Sequence, residues 1–438
     1  MSKKVTAGLA GLILFLSLAA SAQKVDFTEY DLDNGLHVIL HKDNSAPVVA
    51  VSVMYHVCSK NEDTARTGFA HFFEHLLFEG SDNIKRGEFM KLVSSNGGQN
   101  NANTSQDRTF YYEVFPSNQL ETGLWLESER MMHPVINDIG VNTQREVVKE
   151  EKRLRVDNQP YGQFQTEILK RLYTKHPYHW PTIGSMEHLN AAKLDEFIAF
   201  FKKYYTPNNA VLSIAGDLDI EKTKALVKTY FSEIPKGPEV RQPAVKEEPI
   251  TTLMVDTAYD ANIQIPAIML AYRIPGTKEK DEKVMNLVSE VLSGGASSRL
   301  RKKMVDEKKN ALEVGAFNMG GEDYSSYIIY GLPNAEKSLE EIKKDMDDEI
   351  IKLQTELISD KELQKLKNTY ESQYADANLS SLRVAEELAS DYTYHRNTGL
   401  INTELSEYLS ITKEDIRAAA KKYLNKNQRL VLYYLPKK

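Results

Sequence analysis

Five consecutive residues, His71-Phe72-Phe73-Glu74-His75, set the tightest limits on how this chain folds. They lie in a proline-free run, residues 68–78, that is otherwise dense in apolar side chains: Phe69, Ala70, Phe72, Phe73, Leu76, Leu77 and Phe78. Positions i, i+3 and i+4 share one face of an α-helix, so a helix here lines up His71, Glu74 and His75. Gly80 supplies a stop signal just past its end. Such an apolar helix is buried, and buried polar groups need partners. A divalent metal supplies one for each imidazole, with zinc reached at roughly 2.0–2.1 Å per nitrogen. A core helix with two hydrogen-bonded histidines is the competing reading. It is the better one for a lone histidine, and the pair with glutamate between them reverses it.

The pattern H-x-x-E-H is the inverse of the H-E-x-x-H found in zinc peptidases. A catalytic zinc takes three protein ligands and keeps a position for water, so a third ligand is required. Residues 141–157 read as a long charged helix in which Val147, Val148, Glu151 and Leu154 recur at helical spacing. That stripe places Glu151 inward. Glu150 groups with Glu146 and Arg153 on a solvated face.

Taken together, the motifs resemble the pitrilysin/insulinase family of inverzincin metallopeptidases, and among them bacterial single-chain members akin to the mitochondrial processing peptidase β subunit. The resemblance runs through residues 68–80, Asn101-Ala102-Asn103-Thr104-Ser105, Tyr111-Tyr112 and residues 145–151, and is weaker in the second half. It implies His71, His75 and Glu151 as ligands of one Zn²⁺, and Glu74 as general base on a zinc-bound water. It implies an α+β fold of two homologous halves, each a mainly antiparallel sheet with helices packed on one face, enclosing a cavity. It further implies that Asn101, Ala102 and Asn103 lie on an edge strand pairing with extended peptide, and that Arg299, after Gly294-Gly295-Ala296-Ser297-Ser298, contacts substrate. Two departures stand out. The family's supporting glutamate, seven residues before the ligand glutamate, is replaced by Gln144. The tyrosine that accompanies the substrate arginine is missing from Lys309-Asn310-Ala311-Leu312-Glu313. Some bacterial relatives split zinc and the Arg/Tyr pair between two subunits, so a heterodimer with a homologous Arg/Tyr subunit is expected; two copies of this chain, or a monomer, are the alternatives.

A chain of 438 residues accommodates two domains, and a formal charge of −7 opposes nucleic-acid binding. Residues 1–22 have the form of a secretory signal peptide: Lys3 and Lys4, an apolar core from Leu9 to Ala19, then Ala20-Ser21-Ala22. Their removal takes away both lysines and moves the charge from −7 to −9. Net acidity weakly favours basic peptides as ligands. The alternative for this segment is an uncleaved anchor; with cleavage, no stable membrane anchor is expected. The expected location is periplasmic or secreted. Cys58 is the single cysteine, so no internal disulfide forms.

Strands are expected at 25–32, 36–41, 47–57, 97–103, 108–115, 210–214, 251–256 and 263–272, and helices at 87–95, 117–133, 141–157 and 193–205. Residues 234–250 hold four prolines and read as a linker between a zinc-binding domain, 23–233, and a second domain, 251–438. Lys202-Lys203-Tyr204 is echoed by Lys421-Lys422-Tyr423, and Pro47 by Pro266, both at an offset of 219, which points to duplication. At that offset His71, Glu74 and His75 fall on Glu290, Ser293 and Gly294, so the second half lacks metal ligands. The function expected is an exported zinc endopeptidase acting on peptides or unfolded segments. The alternatives are a non-catalytic scaffold subunit of the same fold and a metal hydrolase of another substrate, such as an ester.

Overall fold

The computed structural model describes residues 24–437; the expected signal peptide lies outside the described residues. The first sheet contains β1 (Thr28–Asp31), β2 (His37–Lys42), β3 (Val48–Tyr55), β4 (Gln99–Thr104), β5 (Thr109–Pro116) and β6 (Ala210–Gly216), in the order β1-β2-β6-β3-β5-β4. The second contains β7 (Met254–Asp260), β8 (Ala267–Pro275), β9 (Ala311–Met319), β10 (Tyr324–Pro333) and β11 (Leu430–Pro436), in the order β7-β11-β8-β10-β9. With β1 set aside, the two orders match strand for strand. Each sheet is antiparallel except for one parallel pair in the same place, β2/β6 and β7/β11. Val48 opens β3 and Ala267 opens β8, which is the offset seen in the sequence.

Alternation along the strands decides what packs on each face. Val49, Val51, Val53 and Tyr55 of β3 join a core with the first half's own helices. Ala50 and Met54 point the other way and meet Val384, Ala385, Leu388 and Ala389 of helix Ser381–His395, which comes from the second half. The second sheet mirrors this. Ile268, Leu270, Tyr272 and Ile274 of β8 face its own helices. Ala267, Met269 and Ala271 meet Ile168, Leu169 and Leu172 of helix Phe164–Leu172, from the first half. Equivalent helices are thus exchanged between the halves, a layer that the expectation of helices on one face did not include. Burial on both faces explains why β3 and β8 read as near-continuous apolar runs.

Where the halves meet, the β4–β5 and β9–β10 turns touch. Lys60, only 1% exposed, places Nζ 2.9 Å from Asp107 on one turn and pairs with Glu322 on the other. The Tyr178 hydroxyl donates to Asp107 at 2.5 Å. Residues 235–253 carry no helix or strand, yet this segment is held down. Gln242 donates to the His56 carbonyl at 2.8 Å, and buried Glu247 accepts from the backbone N–H groups of Lys175 and His176 at 2.9 and 2.7 Å. Among the described residues, no helix is long and apolar enough to cross a membrane.

Candidate metal centre

Helix Phe69–Leu76 starts at Gly68, whose φ of 97° is left-handed. A Cβ there would stand 2.8 Å from the Ile183 carbonyl oxygen, so only glycine lets the segments pass. Buried Glu62 accepts from the Gly68 and Ala70 backbone N–H groups, both at 2.8 Å, which puts a carboxyl group at the positive end of the helix. Phe69, Phe72 and Phe73 pack on Phe197, and the Tyr111 hydroxyl donates to the Phe73 carbonyl at 2.9 Å. With those faces fixed, His71 and Glu74 face a cleft of about 950 Å³.

Helix Asp138–Lys152 runs alongside, its first turn capped by the Asn137 side chain, which accepts from the Gly140 N–H at 2.9 Å. It brings Glu151 Oε2 to 3.0 Å from His75 Nε2 and 3.5 Å from His71 Nε2. The two rings lie 4.9 Å apart, nearly perpendicular. Ligands at bond lengths of ~2.05 Å around a tetrahedral zinc stand about 3.3 Å from one another, which the two contacts bracket. Glu151 Oε2 and His71 Nδ1 are buried without a hydrogen-bond partner. The donor set therefore fits zinc, and the orphaned carboxylate oxygen marks where a cation is needed.

Glu74 also lies close, with one donor atom from each of His71, Glu74 and His75 within 4.8 Å of the others. Its Oε2, however, accepts from Thr104 Oγ1 at 2.7 Å. That bond ties it to β4, whereas the free Oε2 of Glu151 reaches both imidazoles. Burial, then the neighbouring His75, lowers the pKa of His71 to about 4, leaving a neutral ring with a free lone pair. The His75 contact holds Glu151 below the usual carboxylate value against its burial. Burial, with the Glu151 charge adding to it, raises Glu74 against the Thr104 bond. One carboxylate is thus kept anionic and the other is shifted toward carrying a proton.

The remaining expected residues are placed variously. Ala102 and Asn103 line the cleft on β4, an edge strand paired only with β5. Asn101 is exposed on the same strand, and its Oδ1 accepts from the Ala102 N–H at 2.9 Å. Gln144 donates to Glu79, just past the end of helix Phe69–Leu76, at 2.5 Å, two turns before Glu151. Arg299 is not brought to this cleft: its Nε donates to Glu362 at 2.8 Å. Glu150 pairs with Arg153 on the solvated face at 3.1 Å, in keeping with the choice of Glu151. Of the apolar residues used to make that choice, Val148 is buried, whereas Val147 and Leu154 are 43% and 56% exposed. The chain continues there into wider π-type turns over Arg153–Asp157. His176, His179 and His188 also line the cleft, but each is hydrogen-bonded elsewhere, to Asp323, the Tyr173 carbonyl and Thr67. Sequence reasoning missed Thr104 as the partner of Glu74 and Arg155, whose Nη1 lies 2.8 Å from Glu151 Oε1. The i,i+4 spacing of Arg155 from Glu151 was a readable signal; nothing local announced the Thr104 contact.

The family described as insulinase, peptidase family M16, matches residues 37–185, and the peptidase M16 inactive domain matches residues 191–370. The zinc protease PqqE of Helicobacter pylori is 29% identical over 442 residues, covering 99% of both chains. The crystal structure of a protease from Helicobacter pylori superposes with a TM-score of 0.89 at 29% identity, over 94% of this chain and 99% of that one. A peptidase M16 inactive domain from Pseudomonas fluorescens shares the fold, with a TM-score of 0.84 at 20% identity over 94% of this chain and 98% of that one. The two M16 matches follow one another along most of the chain, and the chain belongs to the insulinase family, M16.

Proposed function

We propose that this chain is an active, exported zinc endopeptidase acting on peptides or unfolded protein segments. The observation that carries this reading is the convergence of both Nε2 atoms with Glu151 Oε2, while Glu74, anchored by Thr104, stands on the same cleft. His71, His75 and Glu151 would hold one zinc ion, which when bound polarises a peptide carbonyl and acidifies water. Glu74 has Oε2 occupied by Thr104, leaving Oε1 to take the proton of the attacking water. It then passes that proton to the leaving nitrogen as the C–N bond breaks. Its raised pKa suits a group that must both accept and return a proton. The free edge of β4 offers backbone hydrogen bonds to an extended substrate, with Asn101, Ala102 and Asn103 alongside it.

Export rests on the leader-like residues 1–22 and points to the periplasm or secretion. Pairing with a homologous Arg/Tyr subunit rests on the Arg299–Glu362 ion pair and on the missing tyrosine at 309–313. The scaffold reading draws on the same two features and on Gln144. A stoichiometric metal assay with a quenched-peptide panel separates the readings: about one zinc per chain (the ligand count of a single site) and cleavage abolished in Glu74→Gln support the peptidase. Full activity in Glu74→Gln would end the assignment. Metal-free protein that cleaves nothing, alone or with an Arg/Tyr partner, favours the scaffold.

A further inference from the structure

The metal cleft is lined by bases as well as acids, although the whole chain is net negative. Its lining contains two carboxylates, Glu74 and Glu151, both committed to the proposed chemistry. Around them stand Lys152, Arg155 and Lys175, along with several imidazoles. Lys152 is neutralised by Asp157 at 2.6 Å, and Lys175 by Glu248 at 2.7 Å. Arg155 differs. Among the described residues it pairs with the second oxygen of Glu151, and its side chain is 77% exposed at the cleft. A guanidinium carries five N–H donors in a planar fork, so one contact through Nη1 leaves the rest available. The fork therefore stands one carboxylate away from the metal position, facing the space where substrate must lie. Net acidity alone points to basic peptides, but a ligand responds to the charges within roughly a Debye length, about 8–10 Å, and at this point of the cleft the exposed charge is the Arg155 guanidinium.

We infer that Arg155 is a specificity residue that recruits an acidic side chain or a terminal carboxylate of the peptide beside the bond to be cut. This rests on the peptidase reading above. The bound carboxylate accepts from the outer edge of the fork in a charge-assisted, planar contact. Glu151 keeps the inner edge, so the fork is pre-oriented without being used up.

The test uses full-length, zinc-loaded protein and quenched peptides that differ only in Glu, Gln or Lys, moved in turn through the positions flanking the cleaved bond. The wild type is expected to prefer Glu over Gln and Gln over Lys at one of these positions. In Arg155→Ala the Glu/Gln ratio of kcat/KM should fall about tenfold, the scale of a charge-assisted hydrogen bond. The change should lie chiefly in KM, and Arg155→Lys should restore part of it. Zinc content measured on each variant separates recognition from ligand support. A ratio unchanged in Arg155→Ala, or an equal loss on all peptides with falling zinc content, would overturn the inference and leave Arg155 as a support for Glu151. Zinc-loaded Glu74→Gln, titrated with the labelled Glu and Gln peptides, reads the same preference as a difference in Kd without turnover. A preference there, with no cleavage by wild type, would sink the peptidase reading and keep the carboxylate site. Cleavage without any preference does the opposite.

Discussion

The two halves share a sheet order and place a helix at the same point, yet they settle its polar residues in opposite ways. In the first half, Glu74 reaches the edge strand β4 through Thr104, while Glu151 Oε2 lies 3.0 and 3.5 Å from the His75 and His71 Nε2 atoms. In the second half the corresponding helix is Lys280–Ser293 and the corresponding strand is β9. Ser293 stands where Glu74 does. Its hydroxyl donates to the Ala316 carbonyl at 2.9 Å and accepts from the Ala316 N–H at 2.8 Å, stitching helix to strand. Gly294 replaces His75, and a Cβ there would lie 2.6 Å from the Glu290 carbonyl oxygen, so the position takes no ligand side chain. At this helix one half closes the Ser293 hydroxyl on the neighbouring strand's backbone; the other gathers two imidazoles and a carboxylate in one place, an arrangement whose polar groups a cation would partner.

The largest effect expected on this comparison comes from Glu74→Gln, which should lower peptide cleavage by ~10²–10⁴ while zinc stays bound; turnover and metal content are measured on the same sample. Next comes the join between the halves. Lys60→Met leaves buried Asp107 without its cation, and Glu322 with Lys278 and His56, and should cost ~3–5 kcal/mol of stability in urea unfolding. A near-neutral result would mean that the meeting turns do not hold the halves together. Thr104→Val removes the tie between helix and edge strand that Ser293 makes by other means. It should lower kcat by about tenfold, the scale of a hydrogen bond to a charged group, with zinc retained; an unchanged kcat would make the tie purely structural.

Acid provides a finer contrast. With zinc chelated, folded His71 stays neutral down to about 4, whereas its unfolded value is 6.5. Protons then bind the unfolded chain first, so stability present above 6.5 is lost as pH falls from 6.5 toward about 4. Melting curves of wild type and His71→Gln should converge over that window, and parallel curves would refute the buried neutral ring. Smallest is Arg299→Ala, which removes a partly exposed ion pair and should cost about 1 kcal/mol or less. A change in KM beyond that stability effect, appearing only with an Arg/Tyr partner present, would give Arg299 a substrate role.

Much of the fold was legible because it is written in short-range periodicity. The expected strand at 47–57 is observed as Val48–Tyr55, and the expected helix at 193–205 as Leu194–Tyr204. The duplication was visible in matched offsets. The pentad declared its own helix, and Glu151 was singled out from Glu150, although Val147 and Leu154 proved poor guides. Illegible were contacts between residues far apart along the chain: Lys60 with Glu322, Arg108 with Glu386, and the exchanged helices. No local pattern distinguishes an apolar helix that covers its own sheet from one that covers its twin's.

From the amino-acid order alone came the two-half α+β plan and the pentad's helix, since these depend on short-range periodicity or on a repeat. The choice of Glu151 rests on periodicity together with the family resemblance, and its role with Glu74 is what the proposed function puts to the test. Only the folded chain decided that Glu74 is held by Thr104, that Arg299 is spent on Glu362, and that Arg155 stands exposed on the cleft beside Glu151. Those outcomes depend on which distant side chains share a volume a few ångströms across, and both hydrogen bonding and screened charge act only over such distances.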